Sequence, residues 1–251
     1  MEIPIWTPTE KTDSVLARIL EATTPIRLKP FQKEMFYLIE TRKTQGFCAS
    51  RQVGKTYGLA GAAYSWAITK PESLILIVST GENHAKEILD RSRTCFNKSK
   101  LNFAFSKDSE EELRLKGNGS RIVSRPSNPK TIRGYSPDLL IIDEAAAIEH
   151  WDFMQASLFP SVAQTGGHIA VTSTFCGKNH FWRLMNEPTW NGKVYPWWVN
   201  PSPEIETFKR ILPPEQFAEE FECVPVDEGW SLFPLEMIEA CTVDNCEEWL
   251  M

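Results

Sequence analysis

The chain has 251 residues, 42% hydrophobic and 24% charged, with a net charge of −6, ordinary values for a soluble globular protein of one large or two small domains. No apolar run approaches the ~20 residues of a membrane-spanning helix, and the start, Met1-Glu2-Ile3-Pro4-Ile5-Trp6, lacks the basic-then-apolar pattern of an export signal. The six cysteines form no Cys-x-x-Cys pair, and the spacing of Cys241 and Cys246 matches no zinc pattern, which leaves reduced, packing thiols of a cytosolic protein.

In chain order, residues 1–27 read as an arm with one short helix over 13–21, capped by Asp13 or Ser14. Leu28-Lys29-Pro30-Phe31-Gln32 opens the next helix, with Pro30 in its first turn. Gln32 carries the donor and acceptor pair that can read the N6/N7 edge of adenine, although a lone Gln early on a helix is usually surface. Gly46-Phe47-Cys48 then leads into Ala49-Ser50-Arg51-Gln52-Val53-Gly54-Lys55-Thr56 and a helix over 56–69. Strand, tight loop and helix are the setting of a phosphate-binding loop, whose backbone N–H groups and helix N-terminus suit phosphate oxygens. In that reading Ser50, Arg51, Gln52 and Gly54 shape the loop, Lys55 faces the β/γ-phosphates and Thr56 offers its hydroxyl to Mg²⁺. Ala49 stands where the pattern wants Gly, which is tolerable if its φ stays negative.

Residues 73–79 form an apolar run too short for a helix and without alternation, as expected of a parallel strand buried on both faces. Next come a helix over 82–96 and a hairpin around Gly117-Asn118-Gly119. Between residues 86 and 133 there are 12 basic and 6 acidic side chains, whereas residues 201–251 hold 2 and 13. This split allows either a local basic face or a mixed solvated surface. Leu139-Leu140-Ile141-Ile142 is a second buried strand, and Asp143 and Glu144 sit at its C-terminal end, where open α/β sheets place ligands. Asp143 is expected to support Mg²⁺ and Glu144 to polarise the attacking water; a helix cap without chemistry is the plainer alternative. A further strand, 168–174, ends in the hydroxyls of Thr172, Ser173 and Thr174. Beyond residue 194, prolines punctuate short acidic helices such as 214–222, and Trp190, Trp197, Trp198 and Trp230 are expected to pack rather than to stack bases.

Taken together, Phe31-Gln32, the loop from Ser50 to Thr56, Thr131-Ile132-Arg133-Gly134, the Asp143-Glu144 strand end and Thr172-Ser173-Thr174 resemble the ATPase domain of the viral large terminase subunit. The resemblance covers the chain from about Leu28 onward and implies an α/β fold: a three-layer P-loop NTPase core (ASCE/RecA-like, mainly parallel sheet) with a small C-terminal lid subdomain. It implies a division into an arm (1–27), an ATPase core (28–193) and a lid or linker (194–251) leading to an absent nuclease domain, through Glu220-Phe221-Glu222-Cys223 followed by Trp230-Ser231-Leu232-Phe233-Pro234. It implies ATP and Mg²⁺ as cofactors and, as partners, double-stranded DNA, a portal protein, a small terminase subunit and further copies of the chain in a pentameric ring on a procapsid in the host cytoplasm. Gln32 would read adenine, Arg51 would sense the γ-phosphate in cis, and Glu144 would be the catalytic carboxylate. Thr172, Ser173 and Thr174 would couple hydrolysis to movement. Arg133 would be the finger supplied in trans, with Arg125 as the nearby alternative. A superfamily 2 helicase is the nearest rival, but about 107 residues after Glu144 cannot hold its second domain. A nucleotide-binding scaffold with little turnover is the rival from another class.

Overall fold

A computed structural model describes residues 3–7 and 13–226. Helix α1 (Val15–Thr23) is capped by Ser14, whose Oγ accepts the Ala17 N–H at 3.1 Å, while Asp13 pairs with Arg18 instead. Helix α2 (Pro30–Thr41) begins with Pro30, where a missing N–H leaves no bond unmade. Then come β1 (Thr44–Ala49), α3 (Lys55–Thr69), β2 (Leu74–Ser79) and α4 (Glu82–Asn97). Three more strands are β3 (Phe105–Asp108), β4 (Glu112–Leu115) and β5 (Arg121–Pro126), with Gly119 supplying the positive φ of the Asn-Gly turn. The chain continues through α5 (Pro129–Ile132), β6 (Leu139–Ile142), α6 (Trp151–Thr165), β7 (His168–Ser173), α7 (His180–Met185) and β8 (Asn191–Tyr195). Two short helices, α8 (Ile205–Ile211) and α9 (Pro214–Phe217), close the described part, and a π-helical turn, Ala218–Glu222, extends α9.

Among the described residues the strands form one sheet in the order β3-β4-β5-β2-β6-β7-β1-β8. From β5 to β8 all pairings are parallel; β3 and β4 add an antiparallel edge. Side chains alternate across it, as the two-residue period of a strand requires. Phe47, Ile75, Ile77, Leu139 and Ile141 face a cluster that includes α1, α2, α3 and α4. Cys48, Leu74, Leu76, Val78, Leu140 and Ile142 face a second cluster built on α5, α6 and α7. Helices on both faces explain why β2 and β6 are apolar without alternation.

Strand β8 crosses the expected boundary at residue 193. Its pairing with β1 runs through Val194 and Tyr195, so the sheet extends past that point. Ile5 bridges Val194, and the Trp6 N–H donates to the Val194 carbonyl at 2.9 Å, so the arm lies along the outer edge of β8 and covers it. The segment after β8 has its own small core of Ile205, Phe217 and Phe221, with Trp197 packed against it. Trp190 packs on the second face of the sheet, which agrees with a packing role, while Trp198 is exposed. The stretch at residues 230–234 and Cys241 and Cys246 lie outside the described residues.

Gly61 lets α3 approach its neighbours: a Cβ there would lie 2.8 Å from Leu20 Cδ2 and 3.1 Å from Phe36 Cζ, both fully buried. Overpacking costs about 1–3 kcal/mol, and the better helix propensity of Ala returns about 1 kcal/mol. Gly61→Ala is therefore expected to lower the urea midpoint, by roughly 1 kcal/mol of stability; an equal or higher midpoint would mean that α1 and α2 yield.

Candidate nucleotide site

The loop between β1 and α3 is held at four points. The Ser50 N–H donates to the Tyr195 carbonyl at 2.9 Å and the Arg51 N–H to the Glu220 carbonyl at 3.0 Å. Asn200 Nδ2 donates to the Val53 carbonyl and Gln32 Nε2 to the Gly54 carbonyl, at 3.0 and 2.9 Å. Gly54 caps α3 in a left-handed conformation (φ 102°), which its missing Cβ makes cheap, whereas Gln52 adopts φ 60° with a side chain in place. Ala49 is not among the positive-φ residues and pairs normally at the end of β1, so the methyl group causes no conflict.

Lys55, the first residue of α3, is buried and reaches across to the end of β6. Its Nζ lies 2.7 Å from Glu144 Oε1 and 3.6 Å from Asp143 Oδ1. Burial pulls the ammonium's pKa down, but the two carboxylates outweigh it and hold the pKa above that of a free lysine. Asp143 Oδ1 also accepts from the Thr172 hydroxyl at 2.5 Å and from the Glu144 N–H at 3.0 Å. Because β7 lies between β1 and β6, Thr172 lies between the phosphate-loop strand and the carboxylate strand. Ser173 Oγ accepts the Ala146 N–H at 3.1 Å, and Thr174 is buried beside it. Thr56 is next to Lys55 at the helix N-terminus, half-buried.

Gln32 is buried, and its Oε1 accepts the Lys29 N–H at 2.9 Å, so one N–H and one lone pair of its amide remain for a ligand. Arg51 turns toward the turn after α9: its guanidinium binds the Glu220 carboxylate through two hydrogen bonds of 2.5 and 2.7 Å, which raises its already high pKa. Arg133 is exposed, with its guanidinium over the Phe153 ring at 4.9 Å. Arg125 is engaged within the chain by Glu111 and the Tyr135 hydroxyl, at 2.7 and 3.0 Å. Half of the twelve basic residues from 86 to 133, namely Lys86, Arg91, Arg93, Lys107, Arg114 and Arg125, pair with carboxylates. Residues not singled out in the sequence also build the site: Asn200, Glu220, Asn179 and His180, the last two donating to the carbonyls of Ala146 and Ala145. Only their spacing from the loop and the strand end could have flagged them.

A helix N-terminus with a lysine, facing a strand-end carboxylate pair across one intervening strand, defines the class: a P-loop NTPase of the type with an added strand between its two motifs. The family profile of the terminase large subunit, T4-like-virus type, N-terminal part, matches residues 47–240, and the chain belongs to that family. Solved structures agree in fold. The large terminase ATPase domain of Thermus phage P74-26 superposes with a TM-score of 0.68 at 17% identity, covering 86% of this chain and 100% of that domain. The large terminase of bacteriophage HK97 gives 0.61 at 17% identity (83% and 47%). A large terminase from a thermophilic bacteriophage, in complex with ADP, gives 0.59 at 13% identity (75% and 50%). The chain thus spans about half the length of those two large terminases.

Lys55→Ala removes the cation that holds two carboxylates together and that the phosphate-loop reading sets against phosphate. A hydrogen bond between charged groups contributes about 1.5–3 kcal/mol, so binding of a fluorescent ATP analogue is expected to weaken about 10–100-fold. Unchanged affinity in that titration would remove the phosphate-loop assignment.

Proposed function

We propose that this domain is the ATP-hydrolysing motor of a terminase large subunit and drives double-stranded DNA into a procapsid. The observation that carries the reading is Lys55 lodged between Asp143 and Glu144 at the C-terminal ends of β1 and β6, in a chain of the terminase family. ATP enters with its phosphates at the N-terminus of α3, and the free N–H and lone pair of Gln32 face the adenine edge. Its β- and γ-phosphates draw Lys55 away from Glu144, and the released carboxylate polarises the attacking water. Thr56 and Asp143 would hold Mg²⁺, which neutralises phosphate charge. Mg²⁺ commonly takes one or two carboxylates together with phosphate oxygens and waters, a set that one carboxylate and one hydroxyl can serve. Thr172, bonded to Asp143, and Ser173, bonded to the turn after Glu144, carry the change outward with Thr174.

Arg51 leaves Glu220 to meet the γ-phosphate, which frees residues 196–222 to act as a lid. Arg133, exposed and on the Phe153 ring, completes the site of a neighbouring copy in a pentameric ring. The ring sits on the portal of a procapsid in the host cytoplasm and works with a small terminase subunit. The chain beyond the lid leads to a nuclease domain.

Hydrolysis per subunit, measured against protein concentration with Glu144→Gln as blank, separates a motor from a nucleotide-binding scaffold. The specific rate is expected to climb with concentration and to fall by ~10³ or more in Arg133→Ala, with ATP binding intact. If Arg125→Ala has that effect instead, the finger is Arg125. A wild-type rate at the level of the blank would sink the hydrolysis reading.

A further inference from the structure

Glu144 occupies the left-handed region (φ 54°, ψ 40°), a conformation that costs an L-residue about 1–2 kcal/mol and must be held by its surroundings. Directly after it the chain makes a single 3₁₀ turn, Ala145–Ala147, in which the Ala147 N–H donates to the Glu144 carbonyl and the Ile148 N–H to the Ala145 carbonyl, both at 3.1 Å. Three side chains fasten this turn from outside. Ser173 Oγ accepts the Ala146 N–H. Asn179 Nδ2 donates to the Ala146 carbonyl at 3.0 Å, and His180 donates from Nε2 to the Ala145 carbonyl at 2.7 Å. A carbonyl only accepts, so the His180 proton is on Nε2. Asn179 and His180 are themselves pinned. Asn179 Oδ1 caps α7 by accepting the N–H groups of Phe181 and Trp182, and the His180 ring stacks on Trp151 at 4.9 Å and 19°.

We propose that Asn179 and His180 are positioning residues for the Glu144 carboxylate. They hold the strained turn that aims it, so the coupling element does not end with Thr172, Ser173 and Thr174 but continues into the first turn of α7. This rests on the reading of Glu144 as the group that polarises water. The arrangement links that carboxylate to two elements outside the nucleotide site: α7, through the cap, and the first residue of α6, through the stack. The same helix α6 carries Phe153 beneath Arg133.

The two functions of Asn179 can be separated. Asn179→Asp keeps the oxygen that caps α7 but sets a carboxylate oxygen, in place of the donor, against the Ala146 carbonyl. His180→Phe keeps a ring to stack on Trp151 and removes the N–H, while His180→Gln restores a donor. Amide hydrogen exchange and steady-state ATP hydrolysis are measured on each variant beside wild type and Glu144→Gln. Asn179→Asp and His180→Phe are expected to lower protection of the Ala147 and Ile148 amides at least ~10-fold without loss elsewhere. They are also expected to lower kcat about 10–100-fold with KM within about 2-fold, the signature of a misplaced group rather than a lost binding contact. His180→Gln should recover both. Unchanged protection at the turn in both variants would overturn the proposal. So would unchanged kcat, or a fall in kcat that comes with a general loss of protection and a raised KM. If wild type itself does not exceed the Glu144→Gln blank, the hydrolysis reading fails, and the exchange data alone still decide whether these side chains hold the turn.

Discussion

A buried ammonium between two carboxylates is the contact on which the site depends. Lys55 is at the start of α3 and Asp143 and Glu144 at the end of β6, 88 and 89 positions later, and neither side could be buried without the other. An uncompensated charge in that position would cost several kcal/mol. Satisfied as it is, the cluster specifies how α3 meets the sheet, and it places one cation where three anionic groups can compete for it once phosphate arrives.

The fold supplies that meeting by topology. Parallel strands bring their C-terminal ends to one edge, and β7 between β1 and β6 sets the two motifs one strand apart with a hydroxyl in the gap. Burial of both faces of the sheet keeps this edge rigid. The arm along β8 and the Tyr195 carbonyl that receives the Ser50 N–H brace the phosphate loop from its open side.

Much of this was legible in the sequence because the signals are local. The apolar runs at β2 and β6, the loop glycine and lysine, and the Asn-Gly hairpin each announce themselves within a few residues. Their positions agree with the structure to within a residue or two. The less legible parts depend on distant partners. Helix α6 contains Pro160, a residue that ordinarily argues against a helix interior, yet Trp151, Met154, Leu158 and Val162 bury one side of it. Strand β3 is short and mostly exposed, with little pattern to read. Val194 and Tyr195, at the head of a proline-rich segment, read as lid but pair with β1, because edge pairing overrides local composition. The excess of basic residues between 86 and 133 is real: the six carboxylates of that stretch are all used in ion pairs and do not reduce it. The roles of Asn179 and His180 could not be read at all, since a donor to a carbonyl 33 or 35 positions away leaves no mark in composition.

Arg51 is tied to Glu220 twice, once through its main-chain N–H and once through its guanidinium. The loop and the lid therefore share one residue as a common term in their free energies. Linkage would make the consequence reciprocal: an anion that took the guanidinium would loosen the Glu220 segment by the same factor by which that segment, when seated, would weaken the anion. Glu220 would then act as an internal competitor, with an effective concentration set by how firmly α9 and the Phe217–Phe221 stack hold it in place. Substitutions in that small apolar core, far from any phosphate, would thus tune the loop's appetite for one.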